Sequence, residues 1–255
     1  MIDTSRLDGP IARTVRWASR TAVDLVFPPG CYACGGRVEE AGRTGFCLQC
    51  LSGLIDAGRN YCDRCAATVG PHAVREQCPE CRGRRFAFER VLACGPYLGD
   101  LRTRVLTAKA PSGTGEAIRL GRLWAALHGS GVEVDCAIPV PADRRQRWLR
   151  PYHAADAIAE SVARRLGVPL LPDVLRKVKR TPKQALLTAA QRRDNLRGAF
   201  ACDADLSGAS VLLVDDVVTT GSTAHEASRP LRAAGAEVVV ACVARSGGAK
   251  SDSAE

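Results

Sequence analysis

The chain has 255 residues, 46% hydrophobic and 25% charged, with a formal net charge of +9. That length allows one large domain, or one domain with a small module, and that composition is ordinary for a globular protein with a real core. No uninterrupted apolar run approaches the roughly 20 residues of a membrane span, so no spanning helix is expected.

Residues 1–30 read as an N-terminal helix. Val15, Ala18, Ala22, Val23 and Val26 follow helical spacing, and Pro28-Pro29 stops it. Asp3 and Asp8 come early, and Asp24 breaks the run from Ala22 to Phe27, so the segment lacks a secretory pattern. A cytoplasmic protein is expected. Twelve cysteines in a reducing compartment point to metal rather than to disulfides.

Residues 31–85 form the first module. It carries four Cys-x-x-Cys pairs: Cys31/Cys34, Cys47/Cys50, Cys62/Cys65 and Cys78/Cys81. Twelve residues separate the first pair from the second, and twelve the third from the fourth, which suggests a duplicated unit. Each pair can place two thiolates on one metal, and two pairs complete a tetrahedral Cys₄ site. Structural Zn²⁺ is the expected occupant, in one or two sites. Pairing in sequence order gives two sites, and an interleaved pairing stays open. Gly35 and Gly83 suit the tight turns that close such knuckles. His72 reads as a surface residue, because four cysteines already complete a site.

The second domain is expected over residues 86–245. Val91 to Tyr97 reads as a strand. Leu98, Leu101, Val105 and Leu106 keep helical spacing, and Ile118, Leu120, Leu123, Trp124 and Leu127 do so again after a break at Ala110–Gly115. Lys109 ends the first of these helices, as a C-terminal helix charge or as a phosphate contact. Asp135 to Pro141 reads as a strand running into a loop, and Arg144, Arg145, Arg147 and Arg150 follow. A basic loop at a strand's C-terminal end is where an open α/β sheet binds an anion. Ala154 to Leu166 is an amphipathic helix ending at Gly167. A second core strand is expected within 168–175, then a basic loop from Arg176 to Gln184, a short helix at Ala189–Asn195 and a short strand at Phe200.

The middle of the chain holds most of the positive charge. Between Asp135 and Phe200 lie 14 Lys and Arg against 6 Asp and Glu, whereas Cys31 to Arg90 has 9 against 7. Such charge serves a polyphosphate, a nucleic acid or solubility.

The most informative stretch is Val211-Leu212-Leu213-Val214-Asp215-Asp216-Val217-Val218-Thr219-Thr220-Gly221-Ser222-Thr223. Four apolar residues read as a strand buried on both faces. Two carboxylates follow where the strand should leave the core. Thr223 and Glu226 have capping-box spacing, so a helix should begin there. A helix start and a glycine suit a phosphate, and Thr219, Thr220, Ser222 and Thr223 add hydroxyls. Asp215 and Asp216 suit sugar hydroxyls, or Mg²⁺ through water. A sugar phosphate with free hydroxyls fits this unit. His225 could reach the site, although a surface role is the expectation. Ala224, Ala227, Leu231 and Ala234 continue the helix to Gly235, with Pro230 inside it. Glu237 to Ala244 is a buried strand, and 246–255 reads as a disordered tail. Cys94, Cys136, Cys202 and Cys242 read as ordinary, mostly buried thiols.

This stretch resembles the signature of type I phosphoribosyltransferases, which bind phosphoribosyl pyrophosphate (PRPP). Four Cys-x-x-Cys pairs followed by such a domain resemble the ComF family, which includes competence proteins required for DNA uptake. Supporting stretches are Val140-Pro141 with its arginines, Arg180-Thr181-x-x-Gln184 with Arg192-Arg193-x-Asn195, and Phe200. Where the family shows Arg-Gly-Phe-Asn-Gln, this chain has Arg150-Pro151-Tyr152-His153-Ala154, keeping the arginine and the aromatic. The resemblance implies an α/β fold of the type I phosphoribosyltransferase kind, a parallel sheet flanked by helices, preceded by a zinc-ribbon module. Asp215 and Asp216 would meet ribose hydroxyls and Mg²⁺. Val217, Val218 and the loop from Thr219 to Thr223 would cradle the 5′-phosphate. Arg144, Arg145, Arg150, Lys179 and Arg180 would meet the pyrophosphate. Two functional readings follow: PRPP-dependent transfer to an unidentified acceptor, or a DNA-uptake factor that binds single-stranded DNA or a partner helicase with PRPP as regulator. A pure PRPP sensor is a third. Aromatic content of 5% weighs against extensive base stacking.

Overall fold

A computed structural model describes residues 30–32, 34–36, 38, 45–55, 60–70, 78–142, 152–179 and 196–247. The expected N-terminal helix, His72, Arg144, Arg145, Arg147, Arg150, Arg180, the helix at 189–195 and most of the C-terminal tail lie outside these residues.

The core is a parallel sheet of four strands: β3 (Val91–Pro96), β4 (Cys136–Pro139), β7 (Ser210–Val218) and β8 (Glu237–Arg245), in the order β3-β8-β7-β4. The apolar run of β7 explains its central place. Val211, Leu212, Leu213 and Val214 are fully buried, and successive residues face opposite sides. Val211 and Leu213 pack with helix α5 (Ser222–Ala233). Leu212 and Val214 pack with helices α3 (Thr114–His128) and α4 (Ala154–Leu166) on the other face. Helix α2 (Gly99–Ala108) joins that second layer.

The two halves of the cysteine module straddle the sheet. Phe46 and Leu54, the latter on helix α1 (Leu48–Leu54), join the α2–α4 layer. The second half, with its short hairpin of β1 (Asn60–Tyr61) and β2 (Thr68–Val69), joins the α5 layer through Phe86, Phe88 and Val91. Strand β3 therefore lies between the halves. Several of its polar groups meet the flanking segments: the Val91 N–H on the outer side donates to the Arg64 carbonyl at 2.8 Å, and Trp124 Nε1–H donates to the Leu92 carbonyl at 2.8 Å. The ring of His128 lies 3.0 Å from the Ala93 carbonyl through Nε2.

Three sequence expectations are corrected here. Residues 168–175 do not form a core strand. Leu170 makes one bridge to Ala137, and Pro172, which has no N–H, stops the ladder. The chain then enters a separate antiparallel hairpin, β5 (Leu175–Lys177) with β6 (Phe200–Cys202), over α5. Strand β7 does not end before the acidic pair but carries it, running to Val218 beside β8. The capping box is not formed. Gly221, in the left-handed region at φ 73°, is the N-cap, and α5 starts at Ser222. The Glu226 carboxylate instead accepts the Gly198 N–H at 3.2 Å.

Candidate functional site

The site lies at the C-terminal end of β7, where a parallel sheet presents its loops. Asp215 and Asp216 are both half-buried. The Asp216 N–H donates to Asp215 Oδ1 at 2.8 Å, and Lys109 Nζ stands 3.1 Å from Asp216 Oδ1. Burial first, and then the Asp216 charge, push the Asp215 carboxyl up to about 7. Two carboxylates this close need a cation or hydroxyl donors to both be charged. Lys109, the C-cap of α2, supplies part of that need from the end of its helix.

The loop Thr219–Gly221 follows. Thr220 Oγ1 and Ser222 Oγ are 2.8 Å apart. Because the N-cap is a glycine, no N-cap side chain closes the first turn of α5; the Ser222 N–H meets Thr220 Oγ1 at 3.4 Å, and the helix dipole favours an anion there. Gly221 also has a packing reason. A Cβ there would lie 3.3 Å from Phe86 Cε1, on a backbone that other residues enter at a cost. Gly221→Ala is expected to lower stability by about 1–2 kcal/mol, visible as a drop in the thermal midpoint. An unchanged midpoint would show that the loop relaxes freely.

The other expected residues divide. Val217 and Val218 end β7, with Val218 buried. Lys179 is exposed just beyond β5. Arg144, Arg145, Arg150 and Arg180 lie outside the described residues. His225 is half-buried. Its Nδ1 accepts the Ala87 N–H at 2.9 Å, and burial holds its pKa below the ordinary value.

Three features escaped the sequence reading. Tyr152, the retained aromatic, donates to the Ala108 carbonyl at 2.8 Å beside Lys109; burial and the Asp216 charge push its hydroxyl up to about 12. A cleft of about 310 Å³ beside the start of α5 is lined by Arg84, Arg85 and Arg197 with Phe86, Ser222, His225 and the carboxylate of Glu226. Arg245, at the end of β8, is enclosed against the same loop. A larger cavity of about 930 Å³ opens at the opposite end of the sheet, among Glu133, Asp135 and Glu237. Carboxylates disfavour a polyphosphate there.

The cysteines form two groups in sequence order, Cys31/Cys34/Cys47/Cys50 and Cys62/Cys65/Cys78/Cys81, with all ligand atoms of each group within 4.8 Å of one another. Sulfur–sulfur separations are 3.9 Å for Cys34–Cys47 and 3.7 Å for Cys62–Cys81 and Cys65–Cys78. A tetrahedral zinc with Zn–S bonds of about 2.3 Å places its sulfurs about 3.8 Å apart, so both sets fit Zn²⁺. A disulfide needs about 2.05 Å. Gly35 and Gly83 adopt φ of 72° and 68°, as the knuckle turns require. Contact with Cys47 pushes the Cys50 thiol up to about 12, and burial pushes Cys65 up to about 11. Clustered thiolates need a cation among them.

Comparison with known proteins agrees with both halves. A double zinc ribbon domain model matches residues 22–82, and a phosphoribosyl transferase domain model matches 153–254. Competence protein F of Haemophilus influenzae is 28% identical over 82% of this chain and 93% of that protein. DNA utilization protein YhgH of Escherichia coli O157:H7 is 29% identical over 87% of this chain and 99% of its own. The chain therefore resembles the ComF family along most of its length. An orotate phosphoribosyltransferase of Sphingopyxis alaskensis is 51% identical over a 59-residue stretch, 22% of this chain and 29% of that enzyme. The chain joins a type I phosphoribosyltransferase fold to a double zinc ribbon. Among its described residues no helix is long and apolar enough to cross a membrane.

Proposed function

We propose that this protein binds PRPP with Mg²⁺ and transfers its phosphoribosyl group to an acceptor. The observation that carries the reading is the pairing of Asp215 and Asp216 with an uncapped helix start, all on consecutive residues at the C-terminal end of one parallel strand. Hydroxyl-binding carboxylates beside a phosphate-binding turn suit a sugar phosphate better than a bare phosphate. Asp215 and Asp216 would accept the ribose hydroxyls and hold Mg²⁺ through water. Thr219 to Thr223 would take the 5′-phosphate. Lys179, with Arg144, Arg145, Arg150 and Arg180, would meet the pyrophosphate. Transfer needs little protein covalent chemistry. Displacement at the ribose C1 is accelerated by positioning and by stabilising the charge on the departing pyrophosphate.

The names of the relatives, competence and DNA utilization proteins, motivate a second reading, in which the protein would serve DNA uptake by binding single-stranded DNA or a helicase, with PRPP as a regulator. Calorimetric titration of purified protein separates the two. Magnesium-dependent binding of PRPP, with single-stranded DNA failing to compete, is expected. No heat with millimolar PRPP, alongside binding of an oligonucleotide, would overturn the enzyme reading.

A further inference from the structure

Arg245 is 3% exposed and lies between the second cysteine cluster and the loop after β7. A guanidinium so enclosed must satisfy its N–H groups inside the protein. Its Nε donates to the Cys65 carbonyl at 2.8 Å, and its Nη2 stands 3.8 Å from Glu80 Oε2. Its Nη1 donates to the carbonyls of Thr219 and Ser246 and lies 3.4 Å from that of Val218. Cys65 belongs to the third Cys-x-x-Cys pair. Glu80 stands inside the fourth, between Cys78 and Cys81. One planar fork thus holds both knuckles of the second ribbon on one side and the first carbonyls of the loop on the other.

The segment that leaves the ribbon meets the loop a second time. Phe86 packs under Gly221, and the Ala87 N–H is bonded to His225 in the first turn of α5. The first ribbon touches other parts. Tyr32 is bonded to Arg122 of α3 at 2.5 Å, and Phe46 lies under Arg104 of α2. Metal in the second cluster fixes the Cys65 carbonyl. Without it the knuckles separate, the guanidinium loses acceptors, and a buried charge must find new ones.

We propose that the second zinc ribbon sets the backbone of the loop from Thr219 to Thr223, with Arg245 as the positioning residue, so that metal at Cys62, Cys65, Cys78 and Cys81 governs how well the loop holds a phosphate. The ligand half of this inference rests on the PRPP reading; the mechanical half does not. A lysine keeps the charge at 245 but loses the fork, and cannot bond both sides at once.

The test is hydrogen exchange by mass spectrometry on the full chain, with zinc content measured alongside. Peptides over 217–224 report the loop, and peptides over 238–243 report the core of β8. The variants are Arg245→Lys, Glu80→Gln, Cys78→Ser/Cys81→Ser and, for the first ribbon, Cys47→Ser/Cys50→Ser. Exchange in the loop is expected to rise about tenfold in Arg245→Lys with zinc content and β8 protection unchanged. It rises similarly on loss of the second metal, and stays at the wild-type rate on loss of the first. If the cysteine variants or Arg245→Lys lose β8 protection, Glu80→Gln decides with a smaller rise of the same sign. Loop exchange unchanged in a folded Arg245→Lys protein, or moved equally by either ribbon, overturns the proposal. A rise in the variants, together with wild-type protein that binds no PRPP, leaves the coupling standing and removes the ligand reading. PRPP binding with no exchange response does the reverse.

Discussion

Asp215→Asn/Asp216→Asn is expected to weaken PRPP binding in Mg²⁺ by about 10³-fold and to abolish transfer. A hydrogen bond to a charged group contributes about 1.5–3 kcal/mol, and the pair loses at least two. The charge that would attract Mg²⁺ goes with them. The single change Asp215→Asn carries a second expectation of opposite sign. The Asp215 carboxyl titrates at about 7 in the folded protein, against about 3.9 in an unfolded chain. Its contribution to stability is therefore whole below pH 4 and is lost as the pH rises through 7. Asparagine has no proton to lose. Asp215→Asn should unfold at a higher temperature than wild type at pH 8, by about 2 kcal/mol after discount for partial exposure, and show little difference at pH 4. Ligand binding should strengthen from pH 6 to 8 with release of up to one proton, because the pair must be charged to hold a cation. Thermal scans at both pH values and calorimetry in buffers of different ionisation heat measure these effects. A variant that binds PRPP like wild type would show that the carboxylates do not hold the ligand.

Metal removal has the other large effect. The chain is expected to hold two zinc ions and to release them to a chromogenic chelator in two phases. Cys34 is exposed and Cys47 and Cys50 are half-buried, whereas all four cysteines of the second cluster are buried. Access should therefore make the first site at least about tenfold faster. The second phase should coincide with loss of tertiary structure. Structural zinc supplies on the order of 10–16 kcal/mol in small zinc-finger peptides, and here the second ribbon roofs Phe86, Phe88 and Val218. One ion per chain, or a single phase, would contradict two independent clusters of unequal burial.

Much of this was legible in the sequence because the signals were local. Val211–Val214 reads as a buried strand wherever it is met, and the Cys-x-x-Cys spacings define their own turns. Helices α2, α3 and α4 follow from periodicity alone. The errors arose where a distant residue decided the outcome. The Thr223–Glu226 spacing is that of a capping box, but Glu226 is claimed by Gly198, and Gly221 takes the cap because Phe86 fills the space behind it. Lys109 looks like a helix-end charge until Asp216, 107 positions later in the chain, is placed 3.1 Å away. Arg245 reads as the end of a strand. Its partner at Cys65 is 180 positions earlier, and no spacing rule reaches that far.

Strand β3 closes one margin of the sheet, and a free margin is a template on which another chain can polymerise. Here part of the template is covered. The Arg64 carbonyl takes the Val91 N–H and the His128 ring meets the Ala93 carbonyl, so two of the groups that an incoming strand would need are engaged. The segments flanking β3 thus act as partial stoppers against fibre growth as well as supports for the metal module.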